Sequence, residues 1–224
     1  MKVWLGRLTL LVHKPIYAAG FVLFMLCAPM VTCGQNVSYD STFKSNGQTF
    51  RVRLTRLKNY KTLFSITRNS STILRDTVHT DHLNLLDFND DGSPDILISF
   101  EGNFSIESLL LFDRKTRTFR QVEDFENYPS ANKVQGSNGF YYSYHRAGCA
   151  DSYWVSDLFT IVDFRVVHKA QIFGEGCNEP MQIKIFRVDR GRKDLQEMLP
   201  YTMATEDKWG FIKQYWVSNA GKYN

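Results

Sequence analysis

The sequence lacks most of the compact signatures that point to a cofactor or a catalytic centre. It has only four cysteines, none spaced as CxxC, and His79, His82, His145 and His168 show no zinc-ligand spacing. No GxGxxG and no P-loop is present for a nucleotide, and no G-x-S-x-G elbow for a serine nucleophile. No acid precedes Asp40. The longest apolar run, Ile16 to Val31, holds 16 residues with Pro29 inside it. That is short of the roughly 20 apolar residues a membrane-spanning helix requires.

That run, preceded by Lys2, Arg7 and Lys14 and followed by small residues, has the layout of an export signal over residues 1–34. Two outcomes stay open. Cleavage after Gly34 would release a periplasmic or secreted chain. Alternatively, Met30-Val31-Thr32-Cys33 would be processed as a lipoprotein signal, with Cys33 lipidated and the protein held at the outer membrane or cell surface. Membrane contact is expected only through such an anchor. Of the 27 Lys and Arg, three leave with the signal, and the remaining 24 face 23 Asp and Glu. So even a balance gives no reason to expect nucleic acid binding, which needs a concentrated basic patch. In an oxidising compartment the two remaining cysteines, Cys149 and Cys177, are expected to form a disulfide. Closing about 29 residues would stabilise the fold by roughly 3 kcal/mol on the chain-entropy model.

From residue 35 onward the chain alternates and punctuates like a β protein. Asn46-Gly47 is a two-residue hairpin signal, because a type I′ turn needs positive φ at both central positions. In Thr49–Leu57, Phe50, Val52 and Leu54 face one way, and Arg51, Arg53 and Thr55 the other. Further strands are expected at Tyr60–Thr67, Thr72–Asp76, Leu83–Leu86, Asp95–Phe100, Ser108–Asp113 and Thr118–Val122. Four more are expected at Gly139–His145, Tyr153–Val162, Arg165–Phe173 and Met181–Val188. Strands about ten residues apart with regular turns predict a single all-β domain, propeller-like or sandwich-like. A short C-terminal helix is expected over Glu206–Ser218, capped by Thr205, with Trp209, Ile212 and Trp216 packed on a sheet.

The strongest positive signal is Asp87-Phe88-Asn89-Asp90-Asp91-Gly92-Ser93-Pro94-Asp95. Side-chain oxygens at Asp87, Asn89 and Asp91, the Ser93 backbone carbonyl, and Asp95 at the ninth position match the first nine positions of a calcium loop. Gly92 supplies its sharp turn. The twelfth position is Ile98 rather than a bidentate Glu, and strands rather than helices flank the loop, so this is not an EF-hand. The expectation is one structural Ca²⁺.

The arrangement of strand, D-x-N-x-D-G-x-x-D and strand resembles the FG-GAP/VCBS class of calcium-loop β repeats, here in a single copy. A longer stretch includes Leu109-Leu110-Leu111-Phe112-Asp113, Gly139-Phe140-Tyr141-Tyr142-Ser143 and Trp154-Val155-Ser156-Asp157-Leu158-Phe159. It resembles the periplasmic immunity proteins that inhibit lysozyme-like bacterial effectors. That resemblance implies a propeller-like domain that acts by binding a cell-wall hydrolase rather than by catalysis.

Phe140 to Arg146 is the densest aromatic stretch. Alternation puts Phe140, Tyr142 and Tyr144 on one face and Tyr141, Ser143 and His145 on the other. Tyr141, Tyr144, His145 and Arg146 are therefore candidate contacts for a protein or a glycan, with sheet core as the competing reading of the tyrosines. Catalysis would need His145 beside Asp151, Ser152 or Asp157, or a carboxylate pair among Glu101, Glu107 and Glu123. No motif supports either set. The alternative to an inhibitory binding protein is a periplasmic or surface glycan-binding or structural protein.

Overall fold

Hairpin follows hairpin along this chain because its turns carry residues that tolerate positive φ. The computed structural model describes residues 36–58, 60–80, 82–100 and 106–224, which belong to one compact unit, Gln35–Asn224. The expected export segment at 1–34, with Cys33, and the carboxylate candidate Glu101 lie outside the described residues.

Strands β1 (Asn36–Ser45), β2 (Gln48–Arg56), β3 (Thr62–Arg68) and β4 (Ser71–Val78) form an antiparallel meander. Asn46 and Gly47, with φ of 47° and 72°, join β1 to β2, and Asn69 and Ser70, at 46° and 71°, join β3 to β4. Both pairs have the two positive φ values of a type I′ turn, whose twist matches that of the strands. A second meander contains β5 (His82–Leu86), β6 (Asp95–Phe100), β7 (Ile106–Asp113) and β8 (Thr118–Gln121).

The third sheet is built from β9 (Asn132–Lys133), β10 (Phe140–Tyr142), β11 (His145–Gly148), β12 (Tyr153–Val162), β13 (Arg165–Glu175), β14 (Gln182–Asp189) and β15 (Arg192–Pro200). Its order is β15-β14-β13-β12-β10-β9, and β11 pairs with another part of β12. The expected strand Gly139–His145 is thus split in two. β15 was not expected: Arg192–Pro200 is an edge strand exposed on both faces over most of its length, so it has no apolar alternation to read. Its turn, Arg190-Gly191 with φ of 48° and 81°, is the signal that could have found it.

Three apolar layers stack these sheets. Phe50, Val52, Leu54, Phe64 and Ile66 of the first sheet pack with Leu83, Ile96, Ile98, Leu110 and Phe112 of the second. Leu109 and Leu111, on the other face of β7, join Phe88, Phe125, Tyr141, Phe159 and Val166 between the second and third sheets. Helix α1 (Lys208–Asn219) covers the far face of the third sheet, burying Ile212 and Trp216 against Trp154, Leu158, Ile172 and Ile185. The protein is all-β and sandwich-like with one short C-terminal helix. α1 starts later than expected. Asp207 caps it by accepting from the Gly210 N–H at 2.8 Å. Trp209, expected in the core stripe, is instead 56% exposed.

Gly174 sits opposite Trp154, and a Cβ there would lie 2.2 Å from the indole. Trp154 is fully buried and its N–H donates to the Tyr201 hydroxyl, so the ring has no room to swing away. Gly174→Ala is expected to destabilise by about 1–3 kcal/mol through overpacking. This would be seen as a lower urea midpoint at unchanged slope.

Candidate functional site

The acidic loop joins β5 to β6 and is shaped by its own backbone. The Asp87 carboxylate accepts the N–H of Asp91 at 2.9 Å on one oxygen and that of Gly92 at 2.8 Å on the other. Asn89 Oδ1 accepts the Asp91 N–H at 3.1 Å, and Asp91 Oδ1 accepts the Ser93 N–H at 2.7 Å. Gly92 has φ +80°, which a glycine adopts without steric penalty. Asp90 points away and pairs with Lys133 of β9, so it stands outside the oxygen set, as its offset requires.

Asp95 is fully buried. Its Oδ2 accepts the Phe88 N–H at 3.0 Å and its Oδ1 the Phe112 N–H at 2.8 Å. Burial pushes its carboxyl up to about 6; the two N–H donors oppose the shift, and the negative charges of Asp91 and Asp87 add to it. The three carboxylates therefore feel one another, and a divalent cation would relieve that repulsion. The donor set is all hard oxygen, which suits calcium. Among the described residues, however, no three His, Cys, Asp or Glu side chains already converge as a metal-holding group. Arg114 places a fixed positive charge beside the loop, 3.3 Å from Asp91 Oδ1 and 3.2 Å from Ser93 Oγ. Arg114 and Asp91 lie at a cleft of about 360 Å³ that Asn89, Arg120 and Phe164 also line.

Phe88, between two loop oxygens in sequence, is buried. Its ring stacks on Tyr141 of β10 at 4.8 Å and meets the edge of Phe125 at 5.5 Å. The loop thus ties the second sheet to the third.

The expected contact surface needs correction. Tyr141 and Tyr144 are 3% and 7% exposed and belong to the core. The predicted alternation is present: Phe140, Tyr142 and Tyr144 face the helix layer, and Tyr141 faces the layer shared with the second sheet. Of the four candidates, His145 is half-buried and only Arg146 is well exposed. Beside them, Trp209 packs on the Tyr144 ring at 4.0 Å, and the Lys208 ammonium lies 5.3 Å above that ring.

Gly148, Cys149, Ala150 and Asp151 all have positive φ, an unusual run for three residues that carry a Cβ. Cys149 forms the expected disulfide with Cys177, Cα to Cα 6.3 Å. Asp151 fixes the other end of the run. It accepts from the Tyr144 hydroxyl and from Lys208 Nζ at 2.8 Å. Burial works against its charge, but the Lys208 and Tyr144 bonds hold its carboxyl below the usual range.

The catalytic candidates are scattered. His145 Nδ1 is buried and finds no hydrogen-bond partner among the described residues. His168, not His145, meets Asp157, at 2.9 Å, and Gln171 donates to the same oxygen at 2.7 Å. The expected strands leave the turn at Asp163-Phe164, but that register sets His168 opposite Phe159; a bulge between Leu158 and Phe159, which no sequence signal marks, sets Asp157 opposite Gln171. Glu123 is exposed and paired with Arg165, while Glu107 is half-buried, its carboxyl raised by burial and bonded to the Ala131 N–H.

No protein-family model and no curated protein sequence matches the chain. Among solved structures it is similar to one described as "Structure of a Xanthomonas Type IV Secretion System related protein". The two share 16% identity at a TM-score of 0.47, with 70% of this chain and 93% of that chain covered.

The raised carboxyl of Asp95 sets a pH dependence for the metal-free protein. Its value of about 6 in the folded chain lies above the ordinary 3.8, so the folded state binds more protons between them. Stability from this group is present below about pH 4 and is lost as pH rises through about 6. Urea unfolding in chelator across that range should show the decline. Asp95→Asn should remove it while costing about 1–3 kcal/mol, because the amide has one oxygen for two buried N–H donors.

Proposed function

We propose that this protein is exported, carries one structural calcium ion, and works by binding another protein. Three features support export: the signal-like N-terminal pattern, the absence of acid before Asp40, and the Cys149–Cys177 disulfide, a bond that persists in oxidising compartments. Asp87, Asn89 and Asp91, the Ser93 carbonyl and Asp95 would hold the ion. When bound, it supplies the positive charge that three neighbouring carboxylates lack. The observation that carries a structural rather than catalytic reading is Phe88: the loop that would hold the ion also plants this ring between two sheets.

The partner class follows from the sequence resemblance, namely a lysozyme-like cell-wall hydrolase. The scattering of His145, Glu107 and Glu123 favours binding over turnover. The contact surface we assign is Arg146, the positive-φ run that follows it, and Trp209. Trp and Arg supply much of the binding energy at protein interfaces. A loop fixed by a disulfide and by Asp151 loses little freedom on docking.

Calcium should raise the melting temperature, since a ligand bound only to the folded state stabilises it by mass action. Asp87→Ala and Asp91→Ala should abolish that rise and Asp90→Ala should leave it. An identical melting curve in EDTA, with no bound metal by mass analysis, would overturn the calcium assignment. Purified protein should suppress peptidoglycan cleavage by a cognate lysozyme-like enzyme. Trp209→Ala and Arg146→Ala should each weaken that suppression about tenfold or more, in line with loss of interface anchors. A panel of such enzymes left fully active would refute the partner class.

A further inference from the structure

The outer face of the first sheet has a composition that the reading above does not use. Its inner face is apolar, and its outer face is polar in successive rows. The pairing places Asp40, Arg53, Ser65 and Arg75 side by side across the four strands, and next to them Thr42, Arg51, Thr67 and Thr72. Lys44 and Thr49 begin a third row. These rows contain four cations, Lys44, Arg51, Arg53 and Arg75, and one carboxylate, Asp40.

Asp40 holds two of those cations in place. Arg51 grips it with two bonds of 2.6 Å, and Arg53 reaches the same carboxylate at 3.0 and 3.1 Å. The arginine bonds hold the Asp40 carboxyl below the usual range, so it stays ionised. One carboxylate balances one of the two guanidinium groups; the second remains as net positive charge. Each guanidinium has five N–H donors, and each spends two on Asp40, so donors are left on both. Over this pair opens a hollow of about 530 Å³, lined by guanidinium, hydroxyl and amide side chains with no apolar residue among them.

We propose that this face binds a carboxylated polysaccharide. Fixed guanidinium groups match carboxylates. The hydroxyls of Thr42, Thr49, Ser65 and Thr67 both donate and accept, which is what sugar hydroxyls require. A bare polyphosphate would meet the charge but leave those hydroxyl lanes without donors to accept from. Strand repeats place a cation or a hydroxyl at regular intervals, so a polymer of repeating acidic sugars can engage several rows at once. This site is independent of the acidic loop and of the Arg146–Trp209 surface.

The test uses purified full-length protein after any export processing, with polygalacturonate as probe, dextran as the neutral control and polyphosphate as the sugar-free polyanion. Retention on polygalacturonate in affinity electrophoresis is expected, weakened by added salt, with little retention on dextran or polyphosphate. Arg51→Gln combined with Arg53→Gln should weaken binding about tenfold or more, by removing charge-assisted donors. Thr67→Val, isosteric on an outer strand face, should weaken it without altering the melting curve. Arg192→Gln, at an exposed arginine of the third sheet, should bind as the parent does. No retention of the parent protein would overturn the proposal, as would equal retention of the double variant. Polyphosphate binding as tight as polygalacturonate binding would replace the carbohydrate assignment with a general polyanion surface.

Discussion

The buried carboxylate of Asp95 joins parts of the chain that sequence distance keeps apart. It sits at the first residue of β6 and accepts the N–H of Phe88 from the acidic loop and that of Phe112 from the end of β7. Burying a carboxylate is costly unless its oxygens are hydrogen-bonded, and here both are. The two bonds fix where Phe88 stands, and Phe88 in turn sets the stack with Tyr141 and the edge contact with Phe125. The second and third sheets therefore share a layer whose position depends on a polar group at its margin. The remaining strain on Asp95 is electrostatic, from its burial and from Asp87 and Asp91. That repulsion is the basis for proposing a structural cation at this loop.

The same economy appears around Tyr144. Its ring lies in the helix layer, its hydroxyl holds Asp151, and Trp209 rests on its outer side. Tyrosine can serve core and polar edge together because the ring is apolar and the hydroxyl needs one partner. The positive-φ run from Gly148 to Asp151 is thus pinned at one end by the disulfide and at the other by a core residue. Arg146 and Trp209 are left facing solvent beside it. The inferred surfaces lie on different parts of the one compact unit: the acidic loop between sheets, the Arg146–Trp209 region beside the third sheet and helix, and the arginine rows on the first sheet.

Much of the fold was legible because turn chemistry and alternation are local. Asn46-Gly47 announced its hairpin, and Phe50, Val52 and Leu54 announced their inward face. The acidic loop was legible as a spacing of oxygens around one glycine, and the cysteine pair by elimination once an export signal was expected at residues 1–34. β15 escaped because an edge strand exposed on both faces has no apolar period. The core role of Tyr141 and Tyr144 could be weighed but not decided. Their alternation was right, yet alternation assigns a face and leaves open what covers it.

What the sequence determined by itself was most of what φ preference and the two-residue period of a strand govern: the hairpins before β15, the inward faces, the oxygen-bearing loop and a C-terminal helix. Only the tertiary structure decided which faces are covered. It buried Tyr141 beneath Phe88 and left Trp209 exposed. It set His168 rather than His145 against Asp157, and brought Phe112 to Asp95 across 17 residues of chain. The physical reason is that burial and long-range hydrogen bonds depend on how whole sheets stack. That stacking is fixed by the sum of many apolar contacts rather than by any short run of residues.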